Sequence, residues 1–450
     1  MKRILTIAGS DSAGGAGIQA DLKTITLLGG FGMSVLTALT AQNTVGVAAV
    51  YPVSPEFIGQ QLDAVLSDIG ADAVKTGMLF NSGAIEVVAD RLSAYGVKKI
   101  VVDPVMVAKG GDVLLVQEAR ETLVARLIPM ALVVTPNIPE AEVLSKRSIR
   151  TEDDVHEAAR IIHAMGARYV LIKGGHLAGP ARDYLYDGQE FFEFSKERID
   201  TPHTHGTGCV YSAAIATYLA MELGIMEALK RAKDFIHASI RFALPLGRGH
   251  GPANPFARFA REQDKYRVVE ALKASLARLQ AAPMGGLVPE VQSNLGYALP
   301  FAETHQHVAA FPGRLVRLGK RIVSVTGPAF GASKHIATVI LTTMRYDYEF
   351  RSAMNIRFSE GLVQQCKDLG WKVCSFDRSD EPEAVKQQEG SSLEWGTERV
   401  LSKETTIPDI IFDRGDVGKE PMIRVLGRNP DEVVGKVLKL AQGSRLKAQS

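Results

Sequence analysis

The chain has 450 residues, 46% hydrophobic and 23% charged, which is the composition of a globular protein with material for two or three domains of ~150 residues. A formal net charge of +2 without a long basic run argues against nucleic acid as a partner, and no stretch supplies the ~20 apolar residues that a bilayer requires. The three cysteines form no CxxC pair or disulfide framework, and the apolar run near the N-terminus is too short for a signal peptide, so we expect a cytoplasmic protein without membrane partners.

Apolar runs of strand length alternate with helical patterns in the first half of the chain. The runs with strand character are residues 4–8, 33–39, 73–75, 100–103, 132–135 and 170–173. This alternation is typical of βαβ units and predicts an α/β fold with a mostly parallel sheet that helices cover on both faces.

Glycine, amide and charged residues follow each of these runs. They occupy residues 9–17, 42–43, 76–78, 103–106, 135–137 and 173–176, the last of which is His176. Because ligands of such sheets bind at the carboxyl ends of the strands, we expect a polar site at this edge.

The segment 203–220, HTHGTGCVYSAAIATYLA, predicts a helix that begins in a Gly-x-Gly turn at Gly206 and Gly208. The first N–H groups of such a helix are unpaired and its dipole favours an anion, so the turn indicates a phosphate site. On the residues alone, a tight connection between a strand and a buried helix stays open as an alternative.

Two common nucleotide-binding motifs do not fit. Residues 15–20, GAGIQA, match a loose dinucleotide fingerprint, but no acid stands at the end of the second predicted strand. The Walker A sequence GxxxxGK[ST] does not occur. A nicotinamide enzyme and a P-loop NTPase are therefore disfavoured.

Charged residues at the predicted edge suit phosphoryl transfer. Lys173 can lie along phosphates, and Asp103 and Glu140 can hold Mg²⁺ through water. Asp103 before Pro104 also suits a simple strand end, and Glu140 suits a capping box with Asn137, so both alternatives stay open.

Seven motifs of this region carry a family resemblance. They are GSDSAGGAGIQADLK, AQNTVGV, KTGML, DPVM, TPNIPEA, KGGH and HTHGTGC. Together they resemble the hydroxymethylpyrimidine/phosphomethylpyrimidine kinases of thiamine biosynthesis, which are ribokinase-like. The resemblance implies transfer of the ATP γ-phosphate to 4-amino-5-hydroxymethyl-2-methylpyrimidine (hydroxymethylpyrimidine) and then to its monophosphate, with Mg²⁺.

The resemblance also implies roles for individual residues. The pyrimidine would contact Gln42, Met78, Val105, Gly9 and Asp11. The ATP phosphates would lie against Lys173, Thr207 and Gly208, and Mg²⁺ near Asp103 and Glu140. The anion hole would consist of Gly206, Gly208 and Cys209.

Cys209 stands where related sugar kinases have an aspartate as general base. A thiol at a helix N-terminus can have a lowered pKa, which suits a proton acceptor for the first transfer. A polar pocket wall and a small buried hydrophobe are the alternatives.

A second α/β pattern follows a helical segment at residues 258–280. Its predicted strands are residues 314–318, 321–325, 353–358, 371–376, 409–413 and 422–426, with helices at 335–345 and 360–369. A glycine-rich stretch leads into the helix at His335, Arg314 is a candidate phosphate ligand, and Arg414 and Lys419 are further candidates at the rim.

Motifs of this region resemble a second family. They are SNLGYALPFA, PGRLVR, GPAFGASKH, AMNIRFS, SFDR, EGSSLEWG and DRGDVGKEPMIRVLG. They are similar to the thiamine-phosphate synthase domain that is fused behind such kinases. The resemblance implies condensation of the pyrimidine diphosphate with thiazole phosphate, with Arg314 on phosphate or diphosphate and His335 assisting the pyrophosphate. A related domain serves as a sensor of thiamine phosphate, which is the alternative function.

The predicted organisation is a kinase at residues 1–257, a helical linker at 258–284 and a smaller synthase domain at 285–450. Both families imply small-molecule substrates and a homodimer. A side activity on pyridoxal-type alcohols stays open, although Gln42 and Met78 favour the aminopyrimidine.

Overall fold

A computed structural model of the chain describes residues 1–106, 117–175, 179–386 and 391–446. The chain divides into two compact units, Met1–Arg258 and Phe259–Ser450. Among the described residues, no helix is both long enough and apolar enough to cross a bilayer.

The first unit is built on one mostly parallel sheet. Its strands are β1 (Arg3–Asp11), β2 (Phe31–Gln42), β3 (Val47–Pro52), β4 (Ala73–Thr76), β5 (Ile100–Val102), β6 (Val133–Val134), β7 (Tyr169–Lys173), β8 (Ala181–Tyr186) and β9 (Phe191–Lys196). Their order is β3-β2-β1-β4-β5-β6-β7-β8-β9. The pairs from β2 to β7 are parallel, whereas β3, β8 and β9 pair antiparallel at the two edges.

All six predicted strands of the first unit are present, and the three antiparallel strands were missed. Most residues of β3 and β9 are partly or fully exposed. An edge strand with little burial need not contain a continuous apolar run, so the pattern that identified the central strands is absent there.

Helices cover both faces of this sheet. They are α1 (Gly17–Leu27), α2 (Pro55–Asp68), α3 (Ser82–Ala94), α4 (Gln117–Thr122), α5 (Ile138–Ser145), α6 (Glu152–His163), α7 (Thr207–Ala220) and α8 (Ile225–Arg241). Because side chains alternate along a strand, Leu5 and Ile7 of β1 pack in one core with α2, α3 and α6. Ile4 packs in the other core with α1, α7 and α8.

The second unit contains a smaller, mostly antiparallel sheet. Its strands are β10 (Leu295–Ala298), β11 (Val308–Ala310), β12 (Leu315–Leu318), β13 (Arg321–Ser324), β14 (Ala329–Phe330), β15 (Ser352–Arg357), β16 (Val373–Ser375), β17 (Ile410–Asp413) and β18 (Met422–Gly427). The main sheet has the order β14-β11-β10-β15-β18-β17-β16, and β12 and β13 form a separate hairpin. The six predicted strands are present, and the short strands β10, β11 and β14 were missed.

The helices of the second unit pack against this sheet. They are α9 (Ala257–Ala281), α10 (Lys334–Met344), α11 (Glu360–Asp368), α12 (Glu383–Lys386), α13 (Ser391–Leu401) and α14 (Pro430–Leu446). Val268, Leu272 and Leu279 of α9 are fully buried in the core of this unit. The segment 258–284, predicted as a linker, is thus packed into the second unit, while the domain bounds 1–257 and 285–450 stay predictions.

Candidate active sites

The N-terminus of α7 meets the loop that follows β1. Its N-cap residue Gly206 has a φ of 74°, and a Cβ there would overlap the carbonyl oxygen of Gly15. Glycine avoids both the left-handed strain and this overlap. No side chain caps the helix, and the Thr207 hydroxyl donates back to Thr204 O at 3.1 Å. The helix N-terminus therefore presents its backbone N–H groups as predicted for an anion site.

A lysine and a carboxylate lie against this helix N-terminus. Lys173 Nζ, at the end of β7, is 2.9 Å from Asp103 Oδ1, and the two side chains are 15% and 2% exposed. Asp103 also accepts hydrogen bonds from Ser212 at 3.2 Å and from Thr135 at 3.3 Å. A Cβ on Gly208 would lie 3.4 Å from Asp103 Oδ2 and 3.6 Å from Lys173 Nζ. Helix N-terminus, cation and carboxylate thus form one cluster at the carboxyl edge of the sheet.

Glu140 belongs to the same electrostatic cluster and also caps α5. Its carboxylate accepts from Asn137 N at 2.8 Å, and its N–H donates to Asn137 Oδ1 at 2.9 Å, which is a complete capping box. Burial raises the pKa of Glu140 to about 7; Lys173 opposes this rise and Asp103 adds to it. The pKa of Glu140 is therefore well above that of an ordinary exposed capping acid.

The donor set of Asp103 and Glu140 fits Mg²⁺. Both offer carboxylate oxygens, which Mg²⁺ prefers, and Mg²⁺ usually keeps several waters and takes only one or two carboxylates. Within residues 1–106, 117–175, 179–386 and 391–446, no three or more His, Cys, Asp or Glu side chains are grouped to hold a metal. The two residues would therefore hold the ion through water, with the phosphates of ATP supplying further oxygens.

A fully buried ion pair lies beneath this cluster and was not predicted as part of the site. Lys75 Nζ is 2.8 Å from Asp21 Oδ2, and neither side chain is exposed. Thr6 donates to the same oxygen at 2.6 Å, whereas Asp21 Oδ1 is buried without a hydrogen-bond partner among the described residues. Burial lowers the pKa of Lys75, but Asp21, Cys209 and Asp103 together outweigh burial and raise it. Lys75 therefore stays charged next to the site.

Asp11, predicted to bind substrate, organises the loop after β1. Its carboxylate accepts from the N–H groups of Ala13 at 2.8 Å, Gly15 at 3.1 Å and Ala16 at 2.8 Å, and it lies 2.9 Å from His205 Nε2. Burial alone would raise the pKa of Asp11, but His205 and these N–H groups outweigh it and lower the pKa. Asp11 is thus a charged anchor for the loop and for His205.

His205, which was not predicted as a site residue, fixes the amide of Gln42. Gln42 Nε2 lies 3.4 Å from His205 Nε2, and Gln42 Oε1 lies 3.1 Å from the Thr40 hydroxyl, which donates to it. The same hydroxyl lies 2.9 Å from Ser10 O. His205 and Thr40 thus contact the Gln42 amide from two sides and fix its position.

The expected lowering of the Cys209 pKa is wrong. Burial raises the pKa of the thiol to about 11, and the carboxylates of Asp21 and Asp103 act in the same direction against Lys75. The side chain packs on the apolar core around α7. Because about one thiol in ten thousand would be ionised at pH 7, this environment suits a pocket wall better than a resting thiolate.

The other predicted substrate residues also lie at the carboxyl ends of the strands. A Cβ on Gly9 would overlap Met78 Cε, so these two residues are in contact, and Val105 N donates to Asp103 O at 2.8 Å. The predicted rim residue His176 lies outside the described residues. A separate cavity of about 640 Å³ between α1 and residues 244–256 is lined by none of the predicted site residues.

In the second unit, Arg314 and His335 line one cavity of about 620 Å³. Arg314 has a φ of 67° and donates through Nη1 to Val291 O, and the neighbouring wall residue Gln292 has a φ of 68°. Strained backbone of this kind in non-glycine residues concentrates at functional sites. His335 is the second residue of α10, whose N-terminus has no side-chain cap. The structure thus brings the two predicted residues to the same cavity.

Four further cations line this cavity. They are Lys334, Arg378, Lys419 and Arg424. Only Lys419 was proposed from the sequence. Arg414, which was suggested for the rim, is not among the residues that line this cavity, and its guanidinium pairs with Glu360 at 3.0 Å on the exposed surface. The cavity is therefore suited to substrates with several negative charges.

The first unit has a mostly parallel sheet between two helical layers. At the carboxyl edge of this sheet lie a lysine, carboxylates and the N-terminus of a helix that begins with glycine. This combination defines a ribokinase-like phosphotransferase. Residues 11–254 match the family model described as phosphomethylpyrimidine kinase, and the chain belongs to that family. Residues 271–439 match the model described as thiamine-phosphate synthase ThiN. The chain thus combines a kinase domain and a synthase domain of thiamine biosynthesis.

Curated relatives match about half of the chain. The thiamine biosynthesis bifunctional protein ThiED of Geobacter sulfurreducens is 58% identical over 252 residues, which are 56% of this chain and 51% of that protein. The hydroxymethylpyrimidine/phosphomethylpyrimidine kinase of Bacillus subtilis is 49% identical over 257 residues, 57% of this chain and 95% of the relative. The chain therefore spans about half the length of the first protein and almost all of the second.

Solved structures of pyridoxal kinases share the fold of the first unit. The ADP complex of Bacillus subtilis pyridoxal kinase has a TM-score of 0.55 and 44% identity, covering 58% of this chain and 99% of that one. The ADP complex of the Staphylococcus aureus pyridoxal kinase has a TM-score of 0.53 and 37% identity, covering 57% and 93%. The expected ribokinase-like fold is confirmed.

Proposed function

We propose that the first unit phosphorylates hydroxymethylpyrimidine with ATP and then phosphorylates the monophosphate to the diphosphate. The observation that carries this proposal is the Lys173–Asp103 pair against the open N-terminus of α7. In each transfer, the acceptor oxygen forms a bond to the γ-phosphorus and the bond to the leaving ADP breaks. The hydroxyl acceptor of the first transfer also releases its proton to solvent, whereas the phosphate acceptor of the second transfer is already an anion.

The residues of this cluster have different roles, which follow from their charge and hydrogen-bonding groups. Lys173 and the N–H groups of α7 stabilise the negative charge on the transferring group, and Gln42 orients the aminopyrimidine. Mg²⁺, when bound, neutralises phosphate charge, and Asp103 and Glu140 would hold it through water. Cys209 closes the pocket beside the acceptor hydroxyl.

The kinase assignment is tested by following ADP formation from hydroxymethylpyrimidine, ATP and Mg²⁺. Lys173→Met should lower kcat by at least about a hundredfold because charge on the transferring phosphate loses its cation, and Lys173→Arg should restore part of it. Lys196→Met is the matched control, since Lys196 forms a surface ion pair with Asp234 in the same unit. Wild-type-like turnover in Lys173→Met would contradict the proposal.

We propose that the second unit consumes the diphosphate. The thiazole ring nitrogen attacks the methylene carbon of the pyrimidine diphosphate, the carbon–oxygen bond breaks, and pyrophosphate leaves with the bonding electrons, giving thiamine phosphate. The cationic cavity with Arg314 and His335 supports this proposal because both substrates and the leaving group are anions.

Pyrimidine diphosphate supplied together with thiazole phosphate tests the synthase without the kinase. We expect thiamine phosphate and pyrophosphate in equal amounts, with a large loss in His335→Ala and none in His305→Ala, whose imidazole contacts Thr338 outside the cavity. Binding of thiamine phosphate without synthesis would instead identify the sensor function.

The remaining assignments are separate proposals. Pyridoxal as an alternative acceptor is favoured by the similarity to pyridoxal kinases, and the ratio of kcat/KM for the two alcohols measures that side activity. We also propose a cytoplasmic homodimer, which sedimentation of the full chain and fractionation of cells test.

A further inference from the structure

Two arginines share one carboxylate at the base of the cavity in the second unit. Arg378 Nε is 2.6 Å from Asp413 Oδ1, and Arg424 Nη1 is 2.8 Å from Asp413 Oδ2. Arg378, Arg424 and Asp413 are 6%, 3% and 0% exposed. Asp413 is the one carboxylate that pairs with these two guanidinium groups among the described residues, which leaves an excess of buried positive charge that an anion would compensate.

Arg424 Nη1 forms an ion pair with Asp413 Oδ2 at 2.8 Å, but no group among the described residues accepts a hydrogen bond of good geometry from this atom. Arg424 lines the cavity, and burial lowers its pKa even though Asp413 acts in the opposite direction. A buried, unsatisfied N–H on a charged group at a cavity wall indicates a ligand with an acceptor oxygen.

The two guanidinium groups are held rigidly. Both lie near the ring of Phe376, with Cζ 5.7 Å (Arg378) and 5.5 Å (Arg424) from its centroid, and Asp413 accepts from Gly415 N at 2.9 Å. Such preorganised donors bind an oxyanion without the cost of ordering long side chains.

Lys419 adds a partly exposed cation to the same cavity. Its side chain is 40% exposed and donates to Ser392 Oγ at 3.0 Å and to Glu381 Oε2 at 3.4 Å. The contact with Glu381 is weak because 3.4 Å is long for a charge-assisted hydrogen bond. Lys419 can therefore turn toward an anion that Arg378 and Arg424 hold.

We propose that Arg378, Arg424 and Lys419 form a second oxyanion subsite, which binds the phosphate monoester of the thiazole substrate. The inference rests on the proposed synthase function, which needs two anion positions at once. Arg314, Lys334 and His335, around the N-terminus of α10, take the diphosphate. The arginine pair on β18 and beside β17 takes the monoester, whose dianion neutralises the uncompensated charge.

Steady-state kinetics of the full chain, with pyrimidine diphosphate and thiazole phosphate supplied directly, test the subsite. Arg424→Gln and Lys419→Gln should each raise KM for thiazole phosphate by at least about tenfold, while KM for the diphosphate stays within about threefold. Arg424→Lys should recover part of the loss. Arg414→Gln is the matched control, because Arg414 is an exposed arginine of the same segment that pairs with Glu360.

The possible outcomes distinguish failure of the proposed subsite from failure of the proposed synthase function. A rise confined to KM for the diphosphate, or no change in either KM, overturns the subsite. If the wild type makes no thiamine phosphate, the proposed function fails, and calorimetry with inorganic phosphate decides the subsite: weaker binding in Arg424→Gln supports it and equal binding overturns it. Should Arg424→Gln lose the fluorescence transition of Trp371 and Trp395, the partly exposed Lys419→Gln decides alone.

Discussion

Replacing Glu140 with glutamine keeps the N-terminal cap of α5 and removes one buried charge. Glutamine also serves at the third position of a capping box, so the hydrogen bond from Asn137 survives. A pKa raised from 4.5 to about 7 in a side chain that is 7% exposed corresponds to about 3 kcal/mol of unfolding free energy.

The sign of this effect follows from the raised pKa. Below pH 4.5 the carboxyl is protonated in the folded and unfolded states, and its ionisation costs nothing. Between 4.5 and about 7 the unfolded state releases the proton while the folded state retains it, so the free energy of unfolding falls as pH rises. Above about 7 the full cost is present, and Glu140→Gln should then be more stable than the wild type by up to about 3 kcal/mol.

Denaturant unfolding of both proteins across this pH range measures the difference. Circular dichroism follows the whole chain, whereas tryptophan fluorescence follows only the second unit, where both tryptophans, Trp371 and Trp395, lie. The fluorescence transition should be identical in the two proteins, which makes it an internal control. A stability difference that does not grow between acid and alkaline pH would refute the argument from burial.

The same substitution should weaken Mg²⁺ dependence. The ionised carboxylate supports the ion, so Glu140→Gln should need at least about tenfold more Mg²⁺ for half-maximal ADP formation at a pH above 7. A stabilised protein that is a poorer kinase would show that the buried charge is retained for function. An unchanged Mg²⁺ titration would limit Glu140 to its capping role.

Three further substitutions test neighbouring parts of the site. Lys75→Met should lower the free energy of unfolding of the first unit by about 3–5 kcal/mol because it leaves a buried carboxylate unpaired, and the added change Asp21→Asn should recover most of this in the same denaturant assay. Cys209→Ser should keep most of kcat, since the thiol is protonated at neutral pH; a loss of kcat that follows the pH dependence of a thiolate would restore the proton-acceptor role. His205→Ala should raise KM for hydroxymethylpyrimidine by about tenfold with little change in KM for ATP, because it frees the amide of Gln42, and equal changes in both constants would contradict this.

Local patterns in the sequence predict where helices and strands begin and which polar groups lie at their ends. The central strands are continuous apolar runs because helices bury both of their faces, and the N-terminus of α7 follows from Gly206 and Gly208. The edge strands β3 and β9, and β8 between β7 and β9, have no such pattern. His205 and Lys75 stood inside the motifs HTHGTGC and KTGML, yet nothing local shows that their partners are Asp11 and Asp21.

The pKa shifts of the site residues cannot be predicted from local sequence patterns, and Cys209 shows why. Its place in the first turn of α7 predicts a lowered pKa, and this inference from the helix dipole is sound for an exposed thiol. The fold, however, puts Asp21 and Asp103 from two other segments beside it and packs it on the core, which raises the pKa to about 11. Desolvation and the charges of distant carboxylates depend on contacts between segments that are far apart in the chain, so the sequence does not reveal them. At Cys209 they outweigh the effect of the helix dipole, which the sequence does reveal. Carboxylates from distant segments likewise keep Lys75 charged in the interior, where burial alone would lower its pKa.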